Sequence, residues 1–169
     1  MGLPEKIVGA ARAQIGTRYV ADYVNLKYPG GDVPRGTGAC TDVVIRALRS
    51  VGVDLQKLVH EDMAKNFGAY PRKWGLRRPD PSIDHRRVPN LRVFFARKGW
   101  ALGKAGPFLP GDIVSWDLPG NLTHIGIVSD RKNPAGVPLI LHNIGPAASE
   151  ADCLNAWPIT GHFRYSIRR

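Results

Sequence analysis

An α+β fold is predicted for this 169-residue chain, on three observations. In the first half apolar residues recur at helical spacing, most clearly Val43, Val44, Ala47, Leu48 and Val51. From residue 110 onward the pattern changes to short runs rich in valine and isoleucine, separated by Pro-Gly and Asn-Pro turn signals. No repeat, low-complexity tract or linker divides the halves. One domain over 1–169 is therefore expected, with N-terminal helices packed on a C-terminal antiparallel sheet.

The first helix is expected over 4–15. Pro4 suits a first helical position, Ile7, Val8, Ala11 and Ile15 form one apolar face, and Gly16 ends it. Gly16-Thr17-Arg18-Tyr19 leads into a loop over 22–35 with a turn cluster at Tyr28-Pro29-Gly30-Gly31-Asp32. Gly36-Thr37-Gly38-Ala39 then runs straight into a helix that starts at Cys40 and stops at Gly52, and another helix is expected over 55–67. Segment 68–90 is rich in proline, arginine and aromatics. Tyr70, Trp74, Leu76 and Ile83 argue that it is an ordered loop held by packed side chains. Asn90 is placed as the cap of a short helix through Val93, Phe94, Phe95 and Ala96. Pro110-Gly111-Asp112 turns into a strand over 113–116. Further strands are expected over 123–129, 137–142 and 162–167.

Composition bounds the function. Apolar residues make up 43% of the chain, enough for a core. No run approaches the roughly 20 apolar residues of a membrane span. Glu5, Lys6, Arg12 and Gln14 interrupt the apolar stretch that a signal peptide would need, so any targeting segment is expected outside this sequence. The formal net charge of +10 points to an anionic partner: nucleic acid, anionic lipid or an acidic wall polymer. Between residues 72 and 98, Lys and Arg outnumber Asp and Glu nine to two. Such a face could follow phosphates with Tyr70 and Trp74 as stacking platforms, but no nucleic-acid-binding signature accompanies it. Two cysteines are too few for a disulfide scaffold.

The chemistry centres on Cys40. At a helix N-terminus, unpaired N–H groups and the dipole favour a thiolate, which suits a nucleophile. Cys153, in Ala151-Asp152-Cys153-Leu154, has no such context and reads as structural. Of the five histidines, His124 opens a strand and His142 ends the next. If those strands are antiparallel neighbours, the two imidazoles meet at one rim of the sheet. With the Cys40 helix packed there, His124 would be the base and His142 would fix its ring, with Asn143 as the competing orienter. A thiolate so favoured predicts a rate rising from mildly acidic to neutral pH. Asp84-His85-Arg86-Arg87 reads either as a grip on a substrate carboxylate or as a loop-fixing ion-pair cluster. His60 and His162 read as surface or packing residues. Zinc on Cys40, His124, His142 and an aspartate would lack any CxxC or HExxH spacing; no metal or cofactor is expected.

These motifs, in this order, resemble the NlpC-type, papain-like cell-wall cysteine peptidases. The match lies in Cys40-Thr41-Asp42, Pro110-Gly111-Asp112-Ile113-Val114, His124-Ile125-Gly126-Ile127-Val128 and Leu139-Ile140-Leu141-His142. Gly16-Thr17-Arg18-Tyr19 is similar to that family's tyrosine-bearing segment. Over nearly its whole length the chain resembles a bacterial domain-of-unknown-function family related to that fold. The signatures are Cys40-Thr41-Asp42-Val43-Val44, Asp84-His85-Arg86-Arg87-Val88-Pro89-Asn90-Leu91, Leu118-Pro119-Gly120-Asn121, His142-Asn143-Ile144-Gly145 and Pro158-Ile159-Thr160-Gly161-His162. Two departures from the NlpC pattern stand out: Ala39-Cys40-Thr41 replaces Asp-Cys-Ser, and segment 68–90 is an insertion.

The resemblance implies a papain-like fold and hydrolysis of stem-peptide amides in peptidoglycan. Cys40 would be the nucleophile, and its backbone N–H with the Tyr19 hydroxyl would hold the oxyanion. It implies work in the periplasm, in the cell wall or outside the cell. Two settings fit: a remodelling enzyme, or a delivered antibacterial toxin whose partner would be an immunity protein filling the cleft. An acyl or protein substrate for the same chemistry stays open, because fold does not set substrate.

Overall fold

The computed structural model describes residues 1–167. Helices α1 (Leu3–Arg12), α2 (Cys40–Arg49), α3 (Leu55–Asn66) and α4 (Val88–Arg97) precede a five-stranded sheet. Its strands are β3 (Ile113–Leu118), β4 (Leu122–Lys132), β5 (Pro138–His142), β6 (Ser149–Ala151) and β7 (Ile159–Phe163). They lie in the order β6-β5-β4-β3-β7, every neighbouring pair antiparallel. A short parallel pair, β1 (Arg18–Tyr19) and β2 (Thr37–Gly38), sits ahead of α2. This is the α+β architecture expected from the change of period along the chain.

One core holds the helices to the sheet. Ile7 and Val8 of α1, Val44 and Leu48 of α2, Leu55 and Val59 of α3, and Leu91, Phe94 and Phe95 of α4 pack with Ile113, Ile125, Ile127, Leu141 and Phe163. Because strand side chains alternate, their neighbours Val114, Trp116, Val128 and Ile140 form a smaller cluster with Leu154 on the opposite face. The apolar runs in β3 to β5 are thus buried on both faces, and simple alternation is not visible in them.

Several boundaries differ from the expected ones. The first helix ends at Arg12, and Ile15 is 48% exposed. The chain leaves early because Gly16 donates to the Ala148 carbonyl at 2.9 Å and Ala148 donates to that of Thr17 at 2.8 Å. Helix α4 starts at Val88 with Arg87 at its N-cap; Asn90 does not cap it but lies buried in the first turn, its amide donating to the Asp84 carbonyl at 3.1 Å. The last strand spans Ile159–Phe163 rather than 162–167, since β3 pairs Ser115 with Gly161 and Ile113 with Phe163. Segment 68–87 is ordered. Tyr70 is buried and donates its hydroxyl to Asp62 at 2.5 Å, and Trp74 is half-buried, while Leu76 stays exposed.

The His-Ile-Gly-Ile pattern of β4 has a steric cause. Strands β4 and β5 pair Ile127 with Leu141; one step along, Gly126 faces His142. A Cβ on Gly126 would come within 2.8 Å of an Ile140 methyl and 3.1 Å of both His142 Cβ and the Leu141 carbonyl oxygen. The glycine lets β5 approach closely enough to carry His142 to His124.

Candidate active site

The nucleophile helix is anchored through the Cys-Thr-Asp motif. Gly36 has φ +78°, a conformation that favours glycine, and turns the chain into β2. Ala39, at the N-cap, has no side-chain oxygen; Asp42 reaches back instead and accepts the Ala39 N–H at 2.7 Å. The same carboxylate takes a forked grip from Arg86, at 3.1 Å to Oδ1 and 2.9 Å to Oδ2, with both side chains only 3% exposed. Thr41 donates its hydroxyl to the Arg86 carbonyl at 3.2 Å. Arg86 also donates to the Asp22 carbonyl at 3.1 Å. Three separate stretches are thereby fixed around Cys40, at the first position of α2.

The Cys40 sulfur is half-buried and faces the backbone N–H groups of Ile125, Thr41 and Cys40 itself. Ile125 directly follows His124 on β4, so α2 places the thiol against the backbone of the strand that carries the histidine, although among the described residues no hydrogen bond joins the Cys40 sulfur to His124 or His142. Burial pushes the Cys40 thiol up to about 11, and the nearby Asp42 charge adds to this against the pull of the three N–H groups. The resting group is a neutral thiol. The helix N-terminus alone would favour a thiolate, but here desolvation outweighs it.

His124 and His142 meet as the antiparallel arrangement requires, with His124 Nε2 2.7 Å from His142 Nδ1. Trp116 stacks on the His124 ring at 5.5 Å, and Trp157 stands edge-on to it at 5.7 Å. Burial in this aromatic box, with a smaller contribution from His142, lowers His124 to about 3; burial also lowers His142. Both rings are neutral at neutral pH. Asn143 plays another part: its amide donates to the Thr17 and Gly38 carbonyls at 3.1 and 3.3 Å, and its oxygen accepts the Gly145 N–H. It ties the end of β5 to β1 and β2, leaving His142 as the group that touches His124.

A cleft of about 470 Å³ opens over Cys40. Tyr19, Trp74, Arg86, Arg87, Lys73 and Thr123 are in its lining. Burial raises the Tyr19 phenol, and a negative charge at Cys40 would raise it further. Arg87 lies over the Trp74 ring at 4.3 Å. The expected carboxylate grip is therefore split. Arg86 reaches the cleft wall but is committed to Asp42. Asp84 and His85 are buried, each 1% exposed, and neither lines the cleft. Asp84 accepts the Asp80 N–H at 2.6 Å, and burial lowers His85 to about 4. The 84–86 turn thus serves as a structural plug, and the cations facing the cleft include Arg87 and Lys73. Adjacent residues in a tight turn point different ways, so the tandem Arg86-Arg87 was the available signal. His162 is buried against Asp112 at 2.7 Å, and His60 packs edge-on to Tyr28.

The buried imidazoles make stability depend on pH. His85, His124 and His142 all have folded pKa values below the ordinary 6.5. Above that pH both folded and unfolded chains leave them neutral. As pH falls from 6.5 towards 4, the unfolded chain gains protons that the native state refuses, so stability falls. Each fully buried histidine contributes up to about 1.4 kcal/mol per pH unit. We expect Tm, followed by circular dichroism, to drop steeply between pH 6.5 and 4; a constant Tm across that window would contradict these assignments.

Comparison with known proteins follows the same lines. The profile of the domain of unknown function DUF1287 matches residues 8–165. The uncharacterized protein YijF of Escherichia coli (strain K12) is 55% identical over 167 residues, covering 96% of this chain and 82% of that protein. An N-acetylmuramoyl-L-alanine amidase from Bacteroides uniformis ATCC 8492 superposes with a TM-score of 0.63 at 13% identity, covering 97% of this chain and 99% of the other. NlpC1 from Trichomonas vaginalis superposes at 0.56 with 15% identity, over 96% of this chain and 44% of that one. At such identities the likeness is one of fold. The chain belongs to the DUF1287 family, and its fold is of the NlpC type.

Proposed function

We propose that this protein is a cysteine-dependent amidase that hydrolyses stem-peptide amide bonds of peptidoglycan. The observation that carries the reading is that His124, 2.7 Å from His142 of β5, directly precedes Ile125, whose backbone N–H faces the Cys40 sulfur, and that Cys40 lines an open basic cleft. The fold likeness to an N-acetylmuramoyl-L-alanine amidase supports peptidoglycan as the polymer, and work in the periplasm, in the cell wall or outside the cell is part of the same proposal.

In this reading His124 takes the Cys40 proton as the sulfur attacks the carbonyl. The tetrahedral oxyanion is held by the Cys40 N–H and the Tyr19 hydroxyl. Collapse breaks the C–N bond, and His124 returns the proton to the leaving amine. Water, deprotonated by His124, then hydrolyses the thioester and regenerates the thiol. Because burial disfavours charge on both partners, proton transfer accompanies attack and no ion pair forms beforehand.

That changes the pH dependence from the rise through mildly acidic to neutral pH that a free thiolate implies. The base must be neutral, and its pKa is lowered to about 3. The acid limb of kcat/KM is therefore expected below about pH 5, with a plateau from there to about pH 8. A limb near pH 6.5 would contradict the buried-base assignment.

The cleft suits a substrate bearing carboxylates. It adjoins a second cavity of about 480 Å³ that shares Lys73 and Pro89 and adds Arg92 and Lys104; among the described residues, no carboxylate side chain is in either lining. Lys73→Glu is expected to raise KM several-fold with kcat little changed, as fits a group that binds without touching the reacting atoms. The direct test is mass spectrometry of soluble products from purified peptidoglycan. New stem-peptide fragments are expected with the wild type and none with Cys40→Ala. Equal products from both, or from neither, would overturn the proposal.

A further inference from the structure

The second cysteine lies at the far end of the histidine pair. Cys153 Sγ sits 3.8 Å from His142 Nε2, the ring nitrogen that His124 does not use. Its loop is pinned to the aromatic box: the Trp116 indole N–H donates to the Leu154 carbonyl at 2.9 Å, and Trp157 closes over His124 from the same loop. Cys153 packs against the small core cluster that contains Trp116 and Leu154. One loop therefore builds the back wall of both imidazoles.

Hydrogen-bond bookkeeping along this row is restrictive. His124 Nε2 and His142 Nδ1 face each other, so exactly one of them carries the shared proton. When His124 has taken the Cys40 proton, both its nitrogens carry hydrogen. His142 Nδ1 must then accept, and a neutral His142 must carry its own hydrogen on Nε2. The group waiting there is the Cys153 sulfur, a polarisable acceptor in a half-buried pocket. The opposite arrangement has the thiol donating to His142 Nε2. It puts hydrogen on His142 Nδ1, leaves Nε2 of His124 as acceptor, and forces the His124 hydrogen onto Nδ1, the nitrogen left to serve as base.

We infer that Cys153 is a positioning residue: its sulfur accepts the His142 Nε2–H and thereby holds both histidines in the tautomers that leave His124 Nδ1 free to take a proton from Cys40. The inference rests on the proposed roles of Cys40 and His124 but not on the identity of the substrate. Cys153 touches no reacting atom; it acts through His142, and His142 through His124. The thiol stays protonated in this role, since burial and the neighbouring Asp152 push Cys153 up to about 11.

The test is nitrogen-15 NMR of the histidine rings, with the rate of Cys40 alkylation by iodoacetamide as a second readout. In the wild type, both His124 and His142 are expected as Nε2–H tautomers at neutral pH. Cys153→Ala is expected to shift His142 towards a mixture and to slow Cys40 alkylation by about tenfold or more, as loss of the correct tautomer does for a catalytic imidazole. Cys153→Ser, which keeps an acceptor in place, is expected to restore most of both. An Nδ1–H His142 in the wild type would overturn the inference without recourse to any variant. So would a Cys153→Ala protein whose ring spectrum and alkylation rate are unchanged. A wild type that shows these tautomers but releases nothing from peptidoglycan would refute the proposed substrate and leave the role of Cys153 standing.

Discussion

Replacing Asp42 with alanine is expected to destabilise the protein by about 3–5 kcal/mol, the usual cost of removing one member of a buried ion pair. The reason is the number of demands that meet on this carboxylate. It caps the Ala39 N–H at the start of α2 and accepts two bonds from Arg86, whose side chain is as buried as its own. Without it, a guanidinium stays in the interior with only the Asp22 carbonyl, and the turn that delivers Cys40 loses its tie. Urea unfolding measures the loss. The double variant Asp42→Ala with Arg86→Met should recover part of it, because the stranded charge is then gone. A loss below about 1 kcal/mol would mean that the pair does not hold the nucleophile helix in place. Ala39-Cys40-Thr41-Asp42 differs from the Asp-Cys-Ser of NlpC-type enzymes at the residues before and after the cysteine, yet the cap and the clamp both come from the residue two positions beyond it.

The second large effect concerns rate. His124→Gln is expected to lower kcat by about 10²–10⁴-fold, the range for a lost general base, while KM changes little and the fold is kept. Glutamine fills much of the imidazole volume beside Trp116 and can still bond His142, but it cannot take the Cys40 proton. His142→Gln should lose less, because an amide oxygen can still accept from His124 Nε2. Equal activity of wild type and His124→Gln would remove His124 from the mechanism.

The helix–sheet order, the Cys40 helix and the adjacency of His124 and His142 were legible in the sequence, for one physical reason. Each depends on local spacing plus a single antiparallel pairing. What was not legible depended on distant partners. Nothing near Ile15 shows that Ala148 pulls the chain out of the first helix at Arg12. Strand β6 is three residues long and exists through its pairing with β5. The adjacent Asp84, His85, Arg86 and Arg87 carry one continuous polar signal, yet a tight turn sends the first two into the interior and Arg87 to the cleft. The contact of Cys153 with His142 is not legible because the two lie across a loop and a strand pairing. The protonation state of Cys40 is not legible for a related reason: a helix N-terminus can be read from spacing, whereas burial that outweighs it cannot.

The central claim is that Cys40 forms a thioester with the acyl part of a stem peptide. Intact mass spectrometry after acid quench of the enzyme mixed with purified stem peptide tests this most directly, with proteolytic mapping of the modified site. An adduct of acyl mass on the peptide containing Cys40, lost in Cys40→Ala and accumulating when deacylation is slowed, is the expected result. Turnover with no adduct at Cys40, or an adduct that maps to Cys153, would contradict the account.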